Sequence, residues 1–341
     1  MDLKSSGLSN LIELILGVLL SIFVVFISAL LFVNSIEFLG CRYEMGHSFT
    51  GAILSPLFTS FPELIVFLVA IFGLGGPKGA TIGVGTIFGE PFMASSLSYG
   101  LVGVLALVGF YLKRREHSYL EVSKTLAIPF IFVIILFPLA LVPSLITADY
   151  VRYLFGTIFL LCYVGYLAIM YRRKSLEAIE NAERPYICKI FPYKTAGGFI
   201  QLAISAVILY FAARQMVGLV NGIATGLGIS LMGLAIIAIP AATTIPETSS
   251  ALIWGFRGKD IMSIASLVGE KVLYTTLFPG IALMLVPWVL DVHAYLSVLS
   301  TSIVSLLMLF FIWKKKIPWY GLTLGLIFFI AYAFIIFGLH I

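Results

Sequence analysis

Charged residues, paired cysteines and histidine clusters are all scarce in this sequence. Of its 341 residues, 11% are charged and 61% are hydrophobic, whereas a soluble domain usually carries about 25% charged residues. A chain of this composition could not cover its own surface in water, which excludes a soluble enzyme and a disordered chain. The three cysteines form no spaced pairs, so neither a disulfide framework nor a zinc site is predicted. An all-α polytopic membrane protein remains.

Long apolar runs fill most of the chain. One helical crossing of a membrane takes roughly 20 apolar residues, and the length of this chain allows about ten such crossings joined by short loops. The runs lie near residues 10–38, 49–74, 80–111, 125–147, 151–171, 197–221, 226–255, 261–288, 293–313 and 318–339. We therefore predict about ten transmembrane helices, the first of them a retained span rather than a signal peptide.

The basic residues are distributed unevenly between alternate loops. In the ten-span topology sixteen Lys and Arg residues fall on one side of the membrane and four on the other. Because cytoplasmic loops carry the excess of Lys and Arg, this asymmetry predicts a plasma-membrane protein with both termini extracellular. The net charge of +5 is thereby explained by topology, and no nucleic-acid partner is predicted. Each basic cluster is interpreted as a solvated loop end.

Two sequence blocks occur twice, in the same order. Residues 55–63 align without a gap with residues 239–247, at an offset of 184, and both copies end in Pro-Glu. Residues 85–90 align with residues 265–270 at an offset of 180, and both copies end in Gly-Glu. The first block lies on the second predicted span and its copy on the seventh, so the two copies cross the membrane in opposite directions.

This arrangement predicts two inverted-topology repeats of five helices each. The first covers residues 1–171 and the second residues 197–341, with a cytoplasmic loop at 172–196 between them. The blocks that recur lie within about 49–111 and 226–288. In secondary transporters such repeats place the binding site at the membrane midplane between the halves, so we expect a transporter.

Four glutamates occupy the interior of predicted spans and fall at equivalent repeat positions. Each would cost about 2.5–3.5 kcal/mol at a helix centre on insertion scales, a cost that a shared bound cation would offset. The alternative is four protonated glutamates, each hydrogen-bonded to a nearby backbone carbonyl. Hydroxyl groups flank the glutamates, and neither His nor Cys is present in these blocks, which favours a hard cation. The four residues are Glu63, Glu90, Glu247 and Glu270.

The segments Thr59-Ser-Phe-Pro-Glu63 and Thr243-Thr-Ile-Pro-Glu247 resemble the α-repeat signature of the sodium/calcium exchanger family of cation antiporters. The resemblance implies exchange of Ca²⁺ for Na⁺ by alternating access, with no cofactor beyond the transported ions. It also implies that Glu63 and Glu247 are the central Ca²⁺ ligands. The expected hydroxyl or backbone oxygen ligands for Ca²⁺ and flanking Na⁺ are Thr59, Ser60, Thr243 and Thr244.

The second element of each repeat departs from the family pattern. Glu90 and Glu270 stand where the family has serine, and we include both as candidate cation ligands. These additional carboxylates keep exchange of Ca²⁺ for H⁺ open as an alternative. Lys271 follows Glu270 directly. It either replaces a bound ion as a tethered cation, or points about 100° away from Glu270 and pairs elsewhere or reaches the membrane surface.

Two other functions, a membrane-embedded enzyme and a channel, are alternatives to the antiporter. A membrane-embedded enzyme using glutamate as a general base would need an activating histidine or metal motif nearby. The four histidines are predicted to lie in loops or at the terminus, which disfavours it: His47, His117, His293 and His340. A channel with a glutamate ring fits two discrete halves less well.

The small-residue spacing of Gly79, Gly83, Gly85 and Gly89 predicts close helix packing, which would bring this helix near the Glu63 helix.

Overall fold

The computed structural model describes residues 2–43, 60–146, 148–172, 184–189 and 193–339, with side chains described except at 2–12, 37, 41, 171, 189 and 245–247. The helices of the first half are α1 (Asp2–Arg42), α2 (Phe61–Leu68), α3 (Gly76–Met93), α4 (Tyr99–Tyr111), α5 (Ala127–Leu139), α6 (Val142–Leu145) and α7 (Asp149–Arg172). Those of the second half are α8 (Lys194–Leu227), α9 (Leu231–Thr243), α10 (Ile245–Phe256), α11 (Asp260–Thr275), α12 (Leu277–Leu285), α13 (Val292–Trp313) and α14 (Trp319–Leu339).

The helices confirm a polytopic membrane protein. Within the described residues, eight helices are long and apolar enough to cross a bilayer, and the bent pair α9–α10 raises the number to nine. The second predicted span appears as the shorter apolar helix Phe61–Leu74. The part of that span before residue 60, including Thr59, lies outside the described residues.

Several spans are not regular α-helices. A π-helical segment, Val69–Leu74, extends α2, and a second one, Ala94–Ser98, joins α3 to α4. The seventh span is bent by 63° between α9 and α10, and the eighth is interrupted at Thr276 between α11 and α12. Broken helices absorb the excess length of these apolar runs. Thr276, at the interruption of the eighth span, is fully buried, and irregular backbone is tolerated at membrane depth where protein encloses it.

The loops meet in two groups at opposite ends of the helices. Two strands, β1 (Tyr119–Glu121) and β2 (Lys316–Pro318), form an antiparallel pair in which Leu120 faces Ile317. This ribbon joins two loops that the basic residues assign to the cytoplasm. At the opposite end, the Trp288 indole donates to the carbonyl of Ala140 over 2.8 Å, which joins two loops assigned to the exterior. The alternation of loops in the ten-span topology agrees with both contacts.

The interpretation of every basic cluster as a solvated loop end is wrong for Arg115. Its side chain is 3% exposed and forms an ion pair with Asp260 at 3.1 Å. The same guanidinium donates to the carbonyls of Gly255 and Tyr119, each over 2.6 Å. Arg115 thus ties the loop after α4 to the turn between α10 and α11, because its planar fork of donors can serve several acceptors at once.

The contacts between the two halves occur in matching pairs, as two equivalent repeats would give. Helix α4 packs on α14, and α12, at the equivalent place in the second half, packs on α7. In the same way α3 packs on α13, and α11 packs on α5. The long helices α1 and α8, the first of each half, lie against one another. These pairs support the predicted repeat, whose inverted relation stays a prediction.

Candidate cation site

Glycines allow α3 to approach α9 closely. A Cβ atom on Gly85 would lie 2.9 Å from the Cβ of Ala235, and one on Gly89 would lie 2.6 Å from the Cγ of Pro240. Both distances are shorter than a side chain tolerates, so glycine is needed at both positions. The predicted role of these glycines in helix packing is confirmed. The sequence did not reveal that this pair faces the second half of the chain.

The other two glycines face the helix that carries Glu63, as predicted. A Cβ on Gly83 would lie 3.1 Å from the Cγ1 of Ile71 and 3.4 Å from the ring of Phe67. Gly79 approaches the carbonyl of Ala70 in the same segment. Helix α3 is therefore wedged between its own half and the other half, with one pair of glycines on each side.

This close packing brings Glu90 to Thr244. The Thr244 hydroxyl donates to Oε2 of Glu90 over 2.6 Å, and the two residues are 3% and 2% exposed. The bond joins a glutamate of the first half to a hydroxyl of the second. This hydrogen bond therefore holds the Glu90 side chain at the boundary between the halves.

Thr244 lies at the break between α9 and α10. Helix α9 ends at Thr243, and Pro246 lies in the first turn of α10, where a proline without an N–H is well accommodated. The proline thus starts a new helix after the bend. Thr243 is also buried, but its hydroxyl donates to the carbonyl of Ile239 over 3.3 Å within its own helix.

The first-half counterparts of these residues are buried as well. Ser60 precedes α2, and Glu63 lies in the first turn of that helix with Pro62 beside it. Both side chains are buried, and the Leu64 amide donates to the Ser60 carbonyl over 3.1 Å. The start of α2 therefore has the same Pro-Glu arrangement as the start of α10. The side chain of Glu247 lies outside the described residues.

Glu270 lies on α11 and is 6% exposed. Helix α3 packs against α2, α9 and α11, so the helices that carry the candidate residues surround α3. Among the described side chains, however, no three His, Cys, Asp or Glu residues form a cluster that could hold a metal ion. Glu63, Glu90 and Glu270 are thus buried near a common helix without forming a three-carboxylate cage. The predicted quartet, which includes Glu247, stays a prediction.

Lys271 does not reach the membrane surface, so within the second alternative only pairing away from Glu270 remains. Its side chain is completely buried, and Nζ donates to the Ser95 hydroxyl over 3.0 Å. Nζ also lies 4.3 Å from the centre of the Tyr99 ring and 5.1 Å from that of Phe130. The lysine of the second half is therefore enclosed by residues of the first half.

Polar residues that sequence reasoning missed lie around this region. Ser95 holds Lys271, and the Ser297 hydroxyl donates to the Phe88 carbonyl over 2.7 Å. Ser98 shares a hydrogen bond of 2.7 Å with Thr248. The available signal was the density of serines directly after Glu90, within an otherwise apolar span.

His293 was expected in a loop, but it lies buried in the first turn of α13.

The site combines carboxylate and hydroxyl oxygens in a buried setting where two halves of the chain meet. Such oxygens are the ligands that hard cations prefer. The sequence model described as "Sodium/calcium exchanger protein" matches residues 13–172 and 197–339, which include both copies of the repeated blocks. The chain belongs to the sodium/calcium exchanger family. This is a family of membrane transporters of inorganic cations and not of enzymes.

Three proteins similar to this chain are distant from it in sequence. Inner membrane protein YrbG of Escherichia coli (strain K12) is 22% identical over 267 residues, which are 78% of this chain and 78% of the relative. The crystal structure of the H⁺/Ca²⁺ exchanger CAX superposes with a TM-score of 0.71 at 16% identity, over 96% of this chain and 85% of that one. The sodium-calcium exchanger NCX_Mj gives a TM-score of 0.58 at 18% identity, over 94% and 98%. These similarities establish a common fold.

Proposed function

We propose that this chain is a secondary active antiporter that exchanges Ca²⁺ for Na⁺. The observation that carries the proposal is the buried hydrogen bond between Glu90 and Thr244, which places a carboxylate and a hydroxyl from opposite halves of the chain together in a sodium/calcium exchanger family member. Charged groups inside a membrane protein mark ion pathways because their burial is otherwise costly.

In this proposal Ca²⁺ and Na⁺ compete for one set of oxygen ligands. Glu63 and Glu247 are the central Ca²⁺ ligands, and the position of each in the first turn of a helix supports this role. The remaining ligands are Thr59, Ser60, Thr243, Thr244, Glu90 and Glu270. Because one ion must leave before the other binds, competition for the same carboxylates couples the two fluxes without a separate device.

Alternating access is assigned to motion of α1 and α8 relative to the other helices. These two helices pack along each other, and α8 also contacts α2 while α1 contacts α9. A movement of the pair would act on the helices that carry Glu63 and Thr243. The bend of 63° after Thr243 provides a place where the seventh span can flex, as hinges at element ends do.

A second candidate is exchange of Ca²⁺ for H⁺. It is favoured by Glu90 and Glu270, which add two carboxylates to the positions expected from the family signature. A glutamate enclosed in protein can release a bound cation and take a proton instead. The structural similarity to both the H⁺/Ca²⁺ exchanger CAX and the NCX_Mj exchanger leaves both ions as candidates.

The test is ⁴⁵Ca²⁺ uptake into proteoliposomes, with Na⁺ and pH gradients imposed separately. We expect uptake to follow an outward Na⁺ gradient at equal pH, and to be lost in Glu63→Gln and Glu247→Gln. Glu116→Gln, at an exposed loop position, is the matched control and should behave as the unmodified protein. Uptake that follows only the pH gradient would favour the H⁺ candidate. Uptake that needs neither gradient would indicate a channel and overturn the antiporter.

We also propose that the loop group containing β1 and β2 faces the cytoplasm, with both termini outside the plasma membrane. The support is the excess of Lys and Arg in these loops. Membrane-impermeant labelling of single cysteines introduced at Lys113 and Lys78 in intact cells tests it. Labelling only at position 78 is expected, and labelling only at position 113 would reverse the orientation.

A further inference from the structure

Basic residues of three loops converge at the end of the molecule that carries the β1–β2 ribbon. Strand β1 belongs to the loop after α4, and β2 to the loop after α13. Arg115 joins the turn between α10 and α11 to them through the Gly255 carbonyl and Asp260. The exposed basic residues of these three loops form the basic surface, which consists of Lys113, Arg114, Arg257, Lys259, Lys314, Lys315 and Lys316.

The charge of the basic surface is not cancelled by its neighbours. Within the described residues, none of its seven side chains forms an ion pair, and the exposed acidic residues of the same loops are Glu116 and Glu121. Lys316 lies 4.5 Å from the centre of the Tyr119 ring, and an aromatic face attracts a cation without neutralising it. The surface therefore has an excess of positive charge that fits an anionic partner.

Two lysines of this surface have a backbone conformation that is usual for glycine. Lys113 has a φ of 55° and Lys315 a φ of 57°, and no other non-glycine residue in the described part of the chain has a positive φ. Each lies two residues after its helix, α4 or α13, ends, where a left-handed glycine is common. A residue with a Cβ is strained in this conformation, and such strain is typical of functional positions. Lysine at both positions indicates that its charge is used.

Exposed aromatic side chains border the basic surface where the spans begin or end. Tyr111 is 73% exposed, Trp313 68% and Tyr320 61%. The first two are the last residues of their spans, and Tyr320 is the second residue of its span. Tyrosine and tryptophan at such positions are typical of the membrane–water interface, at the level of the lipid headgroups. The basic surface therefore lies beside the headgroup layer, which favours a lipid over a soluble acidic partner.

We propose that the basic surface binds the phosphate groups of anionic phospholipids in the adjoining leaflet, and that this binding holds the three loops together. Basic clusters directly beside a membrane span attract anionic lipids, and both lysine and arginine bind phosphate through charge-assisted hydrogen bonds. Because the first loop belongs to one half of the chain and the other two to the second half, the bound lipid stabilises their contact. The inference does not depend on which cations are transported.

Titration of the purified full chain in neutral detergent with dioctanoyl phosphatidylglycerol tests the binding. This lipid should raise the unfolding midpoint, whereas dioctanoyl phosphatidylcholine should not. Each basic residue near an anionic surface accounts for about a fivefold change in affinity. We therefore expect the half-saturating concentration of phosphatidylglycerol to rise by about 25-fold in Lys113→Gln/Lys315→Gln. The control Lys78→Gln/Arg214→Gln removes the same charge from exposed positions outside these loops and should keep the original value. Equal changes in the two variants, or equal shifts with both lipids, would overturn the proposal.

Glycine at the two left-handed positions separates lipid binding from a purely structural role. Lys113→Gly/Lys315→Gly relieves the backbone strain and removes both charges. With phosphatidylcholine alone, its unfolding midpoint should equal or exceed that of the unmodified protein, whereas its affinity for phosphatidylglycerol should fall as in the glutamine variant. Unchanged affinity in this variant would show that the lysines do not bind the lipid.

The phosphatidylglycerol retained during purification from a membrane that contains it gives a measurement independent of stability. Mass spectrometry of lipid extracts should find less of it per chain in both surface variants than in the unmodified protein and the control, all four shown to be folded by size-exclusion chromatography. Equal retention would contradict the proposal. A soluble glutamate peptide should shift the midpoint far less than the lipid does. A shift as large, lost in the same variants, would assign the surface to an acidic protein segment and overturn the lipid.

Discussion

The two copies of the Gly-Glu block have the same sequence ending but different surroundings. Around Glu90, α3 continues through a π-helical turn into α4, and Gly89 lies against α9. Around Glu270, the chain breaks at Thr276, and a Cβ on Gly269 would meet nothing within 4 Å. The two helices that carry the matching blocks thus differ: glycines pack α3 tightly against α9, whereas Gly269 of α11 has open space beside it.

The starts of the two helices differ as well. Helix α11 begins at Asp260, which is held by Arg115 and by the amide of Glu121 at 2.8 Å. Helix α3 begins at Gly76, Gly75 and Gly76 both have positive φ, and position 80, the counterpart of Asp260, is alanine. The second-half helix is anchored at its end by an ion pair, whereas the first-half helix is anchored along its length by glycine contacts.

The largest expected effect is on the anchor of α11. Arg115→Met leaves Asp260 buried without its cation, and breaking a buried pair in this way costs about 3–5 kcal/mol. We expect a large loss of thermal stability, measured by the unfolding midpoint of the purified protein in detergent. Arg114→Met removes an exposed neighbouring charge and should change the midpoint little. An equal effect of both substitutions would show that Arg115 acts only as a surface charge.

The second largest effect is expected at the hydrogen bond between Thr244 and Glu90, which joins the two halves. Thr244→Val removes the donor to Glu90 while keeping the shape of the side chain, and loss of a hydrogen bond to a charged group costs about 1.5–3 kcal/mol. We expect the Ca²⁺ concentration for half-maximal uptake to rise by about 10- to 100-fold, since about 1.4 kcal/mol corresponds to tenfold. Thr244→Ser retains the hydroxyl and should restore most of the affinity. Equal affinities in the Val and Ser variants would contradict a role for the hydroxyl.

Gly89 and Gly269 stand at matching positions of the two sequence blocks, so alanine substitutions there compare the packing of α3 and α11. Gly89→Ala places a Cβ against Pro240, and overpacking of this kind costs typically about 1–3 kcal/mol. Gly269→Ala enters open space, and replacing a helical glycine by alanine should stabilise by roughly 0.5–1 kcal/mol. The unfolding midpoints of the two variants should therefore move in opposite directions. If both moved downward by similar amounts, the two helices would be packed alike.

The sequence predicted the features that depend on composition and on local spacing. The apolar runs marked the spans, the glycine spacing marked close packing of α3, and the cost of burial singled out Glu63, Glu90 and Glu270, all of which are buried. Each of these follows from a residue and its immediate neighbours. Hydrophobicity and small-residue periodicity are sufficient for such predictions.

The features that the sequence did not predict depend on distant partners. Arg115 reads as one basic residue of a loop cluster, and only the positions of Gly255 and Asp260 in space make it a buried connector. The environment of Lys271 likewise depends on Ser95, 176 residues away. The interruption at Thr276 was not predicted, although Pro279 in the first turn of α12 removes the amide that would donate to the Thr275 carbonyl. Contacts between halves must be seen before their residues can be assigned.

The smallest expected effect lies where α9 and α13 begin, in the second half of the chain. Asp291 caps α13, accepts a hydrogen bond of 2.5 Å from Ser230, and contacts His293 at 3.3 Å. Burial raises the pKa of Asp291, but the hydrogen bonds from His293 and Ser230 outweigh it, so the pKa lies below its ordinary value. Ser230 in turn caps α9, and the Asp291 carboxylate therefore links the starts of two helices.

A carboxyl group with a lowered pKa in the folded state stabilises the fold above the unfolded pKa of about 3.9, and this contribution is lost as the pH falls through the folded pKa. Asp291→Asn keeps a good N-cap residue, and it removes the charge together with one of the two acceptor oxygens. We expect the unmodified protein to be slightly more stable than this variant at pH 7, with the gap in unfolding midpoint closing below about pH 4. Taking the difference between the two proteins cancels the titration of other carboxyl groups. A gap that stayed constant, or widened in acid, would show that the charge of Asp291 does not hold α9 and α13 together.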